Sequence, residues 1–194
     1  MQTFDLIVIG SGPAGQRAAI QAAKTGKRVT LIEKREFLGG ACINTGTIPS
    51  KTLREAVLYL SGFRQRSFYG RGYVLKDRIA MSDLIFRAQA VMSREIEVIK
   101  AQLRRNCVTT LEGEARFIDP HTIEIRSEDG SQLVRGHHVL LACGTRPAHS
   151  DDIPIDRKRI FDSDQVHDLE EVPRDLVIVG AGNLNTRLCW PRSE

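Results

Sequence analysis

The sequence predicts an α/β fold, a parallel sheet in three layers flanked by helices and carrying a small inserted β-meander. Three observations predict it. A strand, a glycine-rich turn, an Ala-rich helix and a second strand follow one another over 4–33. Two longer segments with helical periodicity come next, over 48–63 and 82–106. Short strands separated by turn residues then run from 108 to 142, so the chain alternates strand and helix before it turns to hairpins.

The first unit is a βαβ. Residues 4–9 and 29–33 are apolar runs of strand length, and the segment between them opens with Pro13, whose missing N–H costs nothing in a first turn. Gly26 closes it as a C-terminal cap. In 48–63, Leu53, Val57 and Leu60 share one helical face and Pro49 stands near the start. In 82–106, Ser82 followed by Asp83 reads as an N-cap. Leu84, Ala88, Val91, Met92, Ile96, Ile99 and Leu103 form a core stripe. Strands are expected at 108–111, 115–118, 122–126 and 132–134, the meander, with Glu128-Asp129-Gly130 as a hairpin turn. A further buried strand is expected at 139–142. Residues 148–174, with Pro154 and Pro173 among Asp and Arg, read as a linker, and 176–179 as the start of a second βα unit.

Composition narrows the function classes. Hydrophobic residues make up 41% and charged residues 27% of 194, a globular balance that disfavours a disordered chain. No apolar run reaches the roughly 20 residues of a membrane span, and 1–9 enters a strand without the n-region and h-region of a secretory signal. A cytoplasmic protein without membrane association is the expectation. The four cysteines, Cys42, Cys107, Cys143 and Cys189, include no CxxC pair, which points to reduced thiols. The five histidines, His121, His137, His138, His149 and His167, lack metal-ligand spacing, so no metal is expected. No GxSxG elbow supports hydrolase chemistry. A net charge of +4 and the stretch Arg64, Arg66, Tyr69, Arg71, Tyr73 raise the question of nucleic acid. No recognition motif accompanies them, and a solvated connection between helices is the expected role.

Gly10-Ser11-Gly12-Pro13-Ala14-Gly15 is a GxGxxG turn between a strand and a helix, with Glu33 at the tip of the following strand. That context makes it a Rossmann-like dinucleotide-binding fingerprint. The first glycine makes the turn, the second lets the backbone approach a diphosphate, and the third allows close packing of helix on strand. The helix N-terminus supplies partial positive charge. Glu33 should hold the ribose hydroxyls of the adenosine, and its carboxylate would repel a 2′-phosphate, so FAD or NAD suits the site better than NADP.

The stretch Gly39-Gly40-Ala41-Cys42-Ile43-Asn44-Thr45-Gly46-Thr47-Ile48-Pro49-Ser50-Lys51 resembles the GGxCxNxGCxPSK signature of the FAD-dependent pyridine nucleotide-disulfide oxidoreductases of class I. That group includes dihydrolipoamide dehydrogenase, glutathione reductase and mercuric reductase, in which two cysteines five positions apart relay electrons. Here Thr47 replaces the second, and a hydroxyl forms no disulfide. Gly46-Thr47-Ile48-Pro49-Ser50-Lys51 followed by Thr52-Leu53-Arg54-Glu55-Ala56-Val57 is closer to the soluble pyridine nucleotide transhydrogenases. The likeness extends through Arg116 to Thr122, Ala142 to Pro147 and Asp162 to Asp164.

The resemblance implies an FAD-binding domain over 1–147, a linker over 148–174 and the opening of an NAD(P)-binding domain over 175–194. It implies hydride transfer between NADPH and NAD⁺ through FAD, the activity of an NAD(P)⁺ transhydrogenase of the Si-specific type, with NAD(H) and NADP(H) as substrates. The implied cofactor contacts come from Gly10, Ser11, Gly12, Pro13, Ala14, Gly15, Glu33 and Lys34. Gly39, Gly40, Ala41, Cys42, Gly46, Thr47 and Lys51 of the signature follow, then Glu114, Ala115, Ala142 and Gly144. Lys51 would stabilise negative charge on the flavin. Residues 113–115 would meet the adenine. No residue is assigned a catalytic step.

Relatives of this kind run to more than twice this length and form homo-oligomers through a C-terminal domain. Val177-Ile178-Val179-Gly180-Ala181-Gly182 resembles a second fingerprint, yet Asn185 stands where its third glycine belongs, and Arg187, Trp190 and Pro191 interrupt the helix expected after it. The expectation is an incomplete chain whose tail departs from the family from Asn183 onward, by frameshift or premature stop, with uncovered apolar surface. Two other readings remain: a non-catalytic FAD-binding fragment, and a dihydrolipoamide dehydrogenase-like relative lacking the redox disulfide.

Overall fold

The computed structural model describes residues 1–70, 76, 79–149 and 152–180. The elements run β1 (Gln2–Ile9), α1 (Pro13–Lys24), β2 (Val29–Glu33), α2 (Gly40–Asn44), α3 (Thr47–Leu60), α4 (Arg66–Tyr69), α5 (Met81–Arg105), β3 (Thr109–Glu112), β4 (Glu114–Asp119), β5 (Thr122–Ser127) and β6 (Gly130–Leu141), with a 3-10 helix at Ser163–Asp168. They fall into two compact units, Met1–Asn44 with Arg94–Arg146, and Thr45–Ser93 with Pro147–Glu194.

The first unit is built on one six-stranded sheet, order β3-β2-β1-β6-β5-β4. β3, β2, β1 and β6 are parallel, while β5 and β4 continue the sheet antiparallel to β6. All of β2 is buried, as expected of a central parallel strand covered on both faces. Phe4, Ile7, Ile32, Ile123, Ile125 and Val134 form its apolar cluster. Pro13 is the first residue of α1, which ends at Thr25 and Gly26, the latter at φ 77°.

Two strand expectations are corrected. The segment at 108–111 is not part of the meander: β3 pairs parallel with β2, because α5 carries the chain back to start a parallel strand. The expected strands at 132–134 and 139–142 are one strand, β6, whose first half pairs with β5 and whose second half pairs with β1. Gly136 sits at that handover. A Cβ there would lie 2.8 Å from the Ile7 side chain.

In the second unit Leu53, Ala56, Met81, Leu84, Ala88 and Val166 make a separate apolar cluster, so the stripes read on α3 and on the first half of α5 are core. α3 stops at Leu60 rather than Phe63. α5 starts at Met81, one residue before the expected cap. Asp83 is its third residue and reaches back to accept from the Ala80 amide at 2.9 Å and from Lys76 Nζ at 2.6 Å, an N-terminal acid acting on the cap from inside the helix. Those two bonds hold its carboxyl below the usual range.

Residues 176–180 form no strand, and Val177 and Val179 are 89% and 79% exposed. The expected second βα unit begins there as irregular chain, since no neighbouring strand offers them a ladder among the described residues. Its continuation from Ala181, including Asn183 to Pro191, lies outside the described residues, as do Arg71 and Tyr73 of the basic stretch. No helix is long and apolar enough to cross a membrane among the described residues.

Candidate functional site

The end of β1 and the start of α1 are forced together by missing side chains. A Cβ on Gly10 would lie 2.3 Å from the Ala142 carbonyl oxygen, and one on Gly15 would lie 1.9 Å from that of Gly10. Both contacts are with backbone, which has nowhere to move. The Gly10 amide donates to the Ile32 carbonyl at 2.8 Å and the Ala142 amide to Ile9 at 2.8 Å, so the turn, β2 and the end of β6 are locked to one another. Gly10 itself has φ 107°, open to glycine alone.

Gly12 differs. A Cβ there would meet nothing within 4 Å on its own account, although Gly40 comes close from the facing segment, where an added Cβ would lie 2.9 Å from Gly12 Cα. Gly12 is the N-cap of α1, with no side-chain cap and no acidic residue in the first turn. First-turn amides in a helix have no intrahelical partner. A helix N-terminus left without its own acid, beside open space at a glycine, fits a diphosphate in charge and in room.

Glu33 ends β2 and is 8% exposed. Its Oε2 accepts from the Ser11 amide at 2.9 Å and from the Ser11 hydroxyl at 2.6 Å, and its Oε1 accepts from the Arg35 amide at 3.1 Å. The Ser11 hydroxyl in turn accepts from the Gly39 amide at 2.9 Å. Gly113, between β3 and β4, donates its amide to the Glu33 carbonyl at 2.9 Å. Its φ of 141° and a would-be Cβ contact of 2.6 Å with the Arg126 carbonyl oxygen require glycine. The carboxylate therefore stands at the turn, where a ribose adjoining a diphosphate would be met. Along β3 a cleft of about 700 Å³ continues from it, lined by Glu33, Arg35, Leu38, Leu103, Leu111 and Glu112 among others.

Of the residues expected to contact a cofactor, the structure gathers Gly10, Ser11, Gly12, Pro13, Ala14, Gly15, Glu33, Gly39, Gly40 and Ala142 about this turn. Ala41 and Cys42 are in α2, with Cys42 half-buried. Lys34, Glu114 and Gly144 are exposed, and Ala115 is half-buried. Gly46, Thr47 and Lys51 belong to the second unit: Gly46 precedes α3, Thr47 is its first residue and Lys51 is exposed on it. The larger cavity, about 850 Å³ and apolar, is lined by second-unit residues such as Leu53, Leu84 and Phe161 and by none of these three. Among the described residues no group of three or more His, Cys, Asp or Glu side chains is placed to hold a metal.

Sequence reasoning missed two parts of this arrangement: the Ser11 hydroxyl as a ligand of Glu33 and the Gly39 amide behind it.

Known proteins resemble this chain in sequence and in fold. The family described as Pyridine nucleotide-disulphide oxidoreductase matches residues 4–190. A soluble pyridine nucleotide transhydrogenase of Mycobacterium bovis is 50% identical over 94% of this chain and 39% of its own length. That of Colwellia psychrerythraea is 37% identical over 92% of this chain and 38% of its own. Among solved structures, an HOCl-induced flavoprotein disulfide reductase of Escherichia coli in its Cu(II) complex superposes with a TM-score of 0.79 at 26% identity, over 96% of this chain and 39% of that one. LpdA of Mycobacterium tuberculosis gives 0.76 at 26% identity, over 89% and 38%. This chain thus spans about two fifths of the relatives it matches. Matched over residues 4–190, the chain belongs to the pyridine nucleotide-disulphide oxidoreductase family.

Proposed function

We propose that this chain is the FAD-binding part of a transhydrogenase-type flavoprotein, an NAD(P)⁺ transhydrogenase of the Si-specific type acting in the cytoplasm. The observation that carries it is Glu33: a carboxylate fixed at a glycine turn whose helix N-terminus is open to an anion. The amides of the first turn of α1 take the diphosphate, Gly12 provides the room, and Glu33 Oε1 accepts from the ribose hydroxyls of the adenosine. Flavin supplies the means to take a hydride from one nicotinamide, NADPH, and pass it to another, NAD⁺. The reading assigns Lys51 the task of offsetting negative charge at the flavin. Thr47 offers a hydroxyl where a dithiol relay needs a thiol, which favours direct transfer over a disulfide route.

The test is the visible spectrum of the purified chain. Bound FAD is the expected result, and its bleaching by NADPH with no change in titratable thiols would support the enzyme reading. FAD that ignores NADPH would support the second reading, a non-catalytic FAD-binding fragment. A change of two thiols per chain on reduction would mean dithiol chemistry through another cysteine pair, and so a disulfide-reductase relative. Absence of flavin would overturn all three.

A further inference from the structure

The second residue of the glycine turn does more than fill a gap. Ser11 is completely buried, and its hydroxyl is the meeting point of three segments. It donates to Glu33 Oε2 at 2.6 Å, at the tip of β2, and accepts from the Gly39 amide at 2.9 Å, in the segment before α2. A hydroxyl carries one proton. Because Gly39 can only donate, that proton is committed to Glu33, and the bond is of the short, charge-assisted kind. The Ser11 amide adds a second donor to the same oxygen at 2.9 Å, and the Gln16 side chain pins the Ser11 carbonyl at 2.6 Å.

We propose that Ser11 is a positioning residue for Glu33 and so a determinant of FAD over FMN. The inference rests on the reading of Glu33 as the adenosine ribose ligand. Two donors on Oε2 fix the plane of the carboxylate and leave Oε1, which receives only the Arg35 amide at 3.1 Å, with acceptor capacity to spare. FMN has no adenosine and cannot use that oxygen. Removing the hydroxyl leaves Oε2 with the Ser11 amide alone and loosens the carboxylate, and because FMN makes no use of Glu33, the part of the loss that runs through the carboxylate falls on the dinucleotide.

The experiment titrates the full 194-residue chain with FAD and with FMN by flavin fluorescence, for the wild type, Ser11→Ala, Ser11→Cys, Glu33→Gln and the Ser11→Ala/Glu33→Gln double variant, with far-UV circular dichroism as the check on folding. Both serine variants are expected to weaken FAD binding roughly tenfold and FMN binding less than about twofold. In the Glu33→Gln background Ser11→Ala should add less than about twofold, since residues acting through one another are not additive. Equal weakening of FAD and FMN, or effects of the two sites that multiply, would overturn the proposal and make Ser11 a residue of the fold. Failure of both serine variants to fold would do the same. Wild type that binds FAD with serine variants that bind it equally well sinks this inference and spares the flavoprotein reading; wild type that binds no FAD sinks both.

Discussion

The two units of the chain satisfy their buried polar groups differently. About the glycine turn, Ser11 and Glu33 are buried and each of their side-chain oxygens has a partner within 3.1 Å. The buried side-chain atoms without a partner among the described residues, Thr45 Oγ1, Ser61 Oγ and Gln65 Oε1, all belong to the second unit. That unit also holds the larger cavity, about 850 Å³. An unpaired buried oxygen costs the desolvation of the group, on the order of 1–3 kcal/mol. The first unit is therefore the self-sufficient one, organised by backbone contacts that tolerate no side chain, while the second is held by an apolar cluster with slack in it.

The largest effect that would test this contrast is Gly15→Ala. Its Cβ would sit 1.9 Å from the Gly10 carbonyl oxygen, so the turn must open, and a loss of more than about 3 kcal/mol is expected in urea unfolding. Gly12→Ala is the matched control for function. It meets no atom within 4 Å and has φ −63°, so stability should stay within about 0.5 kcal/mol while FAD binding falls roughly tenfold or more, because the new methyl occupies the room for the diphosphate. A Gly12→Ala chain that binds FAD normally would remove the diphosphate from this turn.

Core truncations sharpen the comparison next. Ile7, fully buried on an interior strand of the sheet, should cost about 4 kcal/mol as Ile7→Ala. Leu53, already on the wall of the larger cavity, should cost nearer 2 kcal/mol as Leu53→Ala, the low end of such changes. Both are read from urea unfolding midpoints. Equal losses would show that the cavity is filled in solution.

Smaller again is an acid-dependent term in the second unit. The Asp156 carboxylate accepts from the amides of Lys158, Arg159 and Ile160 at 2.8 Å each, which lowers its pKa from 3.8 to about 2, the Ile160 amide contributing most. A folded-state pKa below the unfolded one means that the bound, charged form stabilises the loop fully above about pH 4, and that this is lost as pH falls through about 2. Carboxyl NMR should show Asp156 titrating well below an ordinary aspartate, and Asp156→Asn should abolish that dependence.

What the sequence made legible follows the same division. The turn over 10–15, Glu33 and the strands beside them were readable because strand, glycine turn, helix and strand follow one another within one βαβ unit. The parallel pairing of β3 with β2, and the union of two expected strands in β6, were not, since both depend on partners far along the chain. The start of α5 was misread by one residue because Asp83 looks like a cap and acts on Ala80 from the third helical position. At the site, the signature residues could be named, but the hydroxyl bridge from Ser11 to Glu33 needed coordinates: serine between two glycines carries no periodicity to read.

The smallest expected effect lies where α5 ends, in the first unit. Cys107 follows the helix with φ 56° and donates its amide to the Arg104 carbonyl at 3.0 Å, while Val108 donates to Leu103 at 3.0 Å. This is the left-handed closing position at which glycine is preferred, because a Cβ there crowds the following carbonyl. Cysteine holds it at a cost of roughly 1–2 kcal/mol, part of which glycine would return through its greater freedom in the unfolded chain. Cys107→Gly is thus expected to stabilise the protein by about 0.5–1 kcal/mol, seen as a higher urea midpoint at unchanged slope. Cys107 is exposed, so little packing is lost to offset the gain. A destabilised variant would mean that the thiol makes contacts that outweigh its strained backbone, and that the first unit draws stability from its helix ends as well as from its glycine turn.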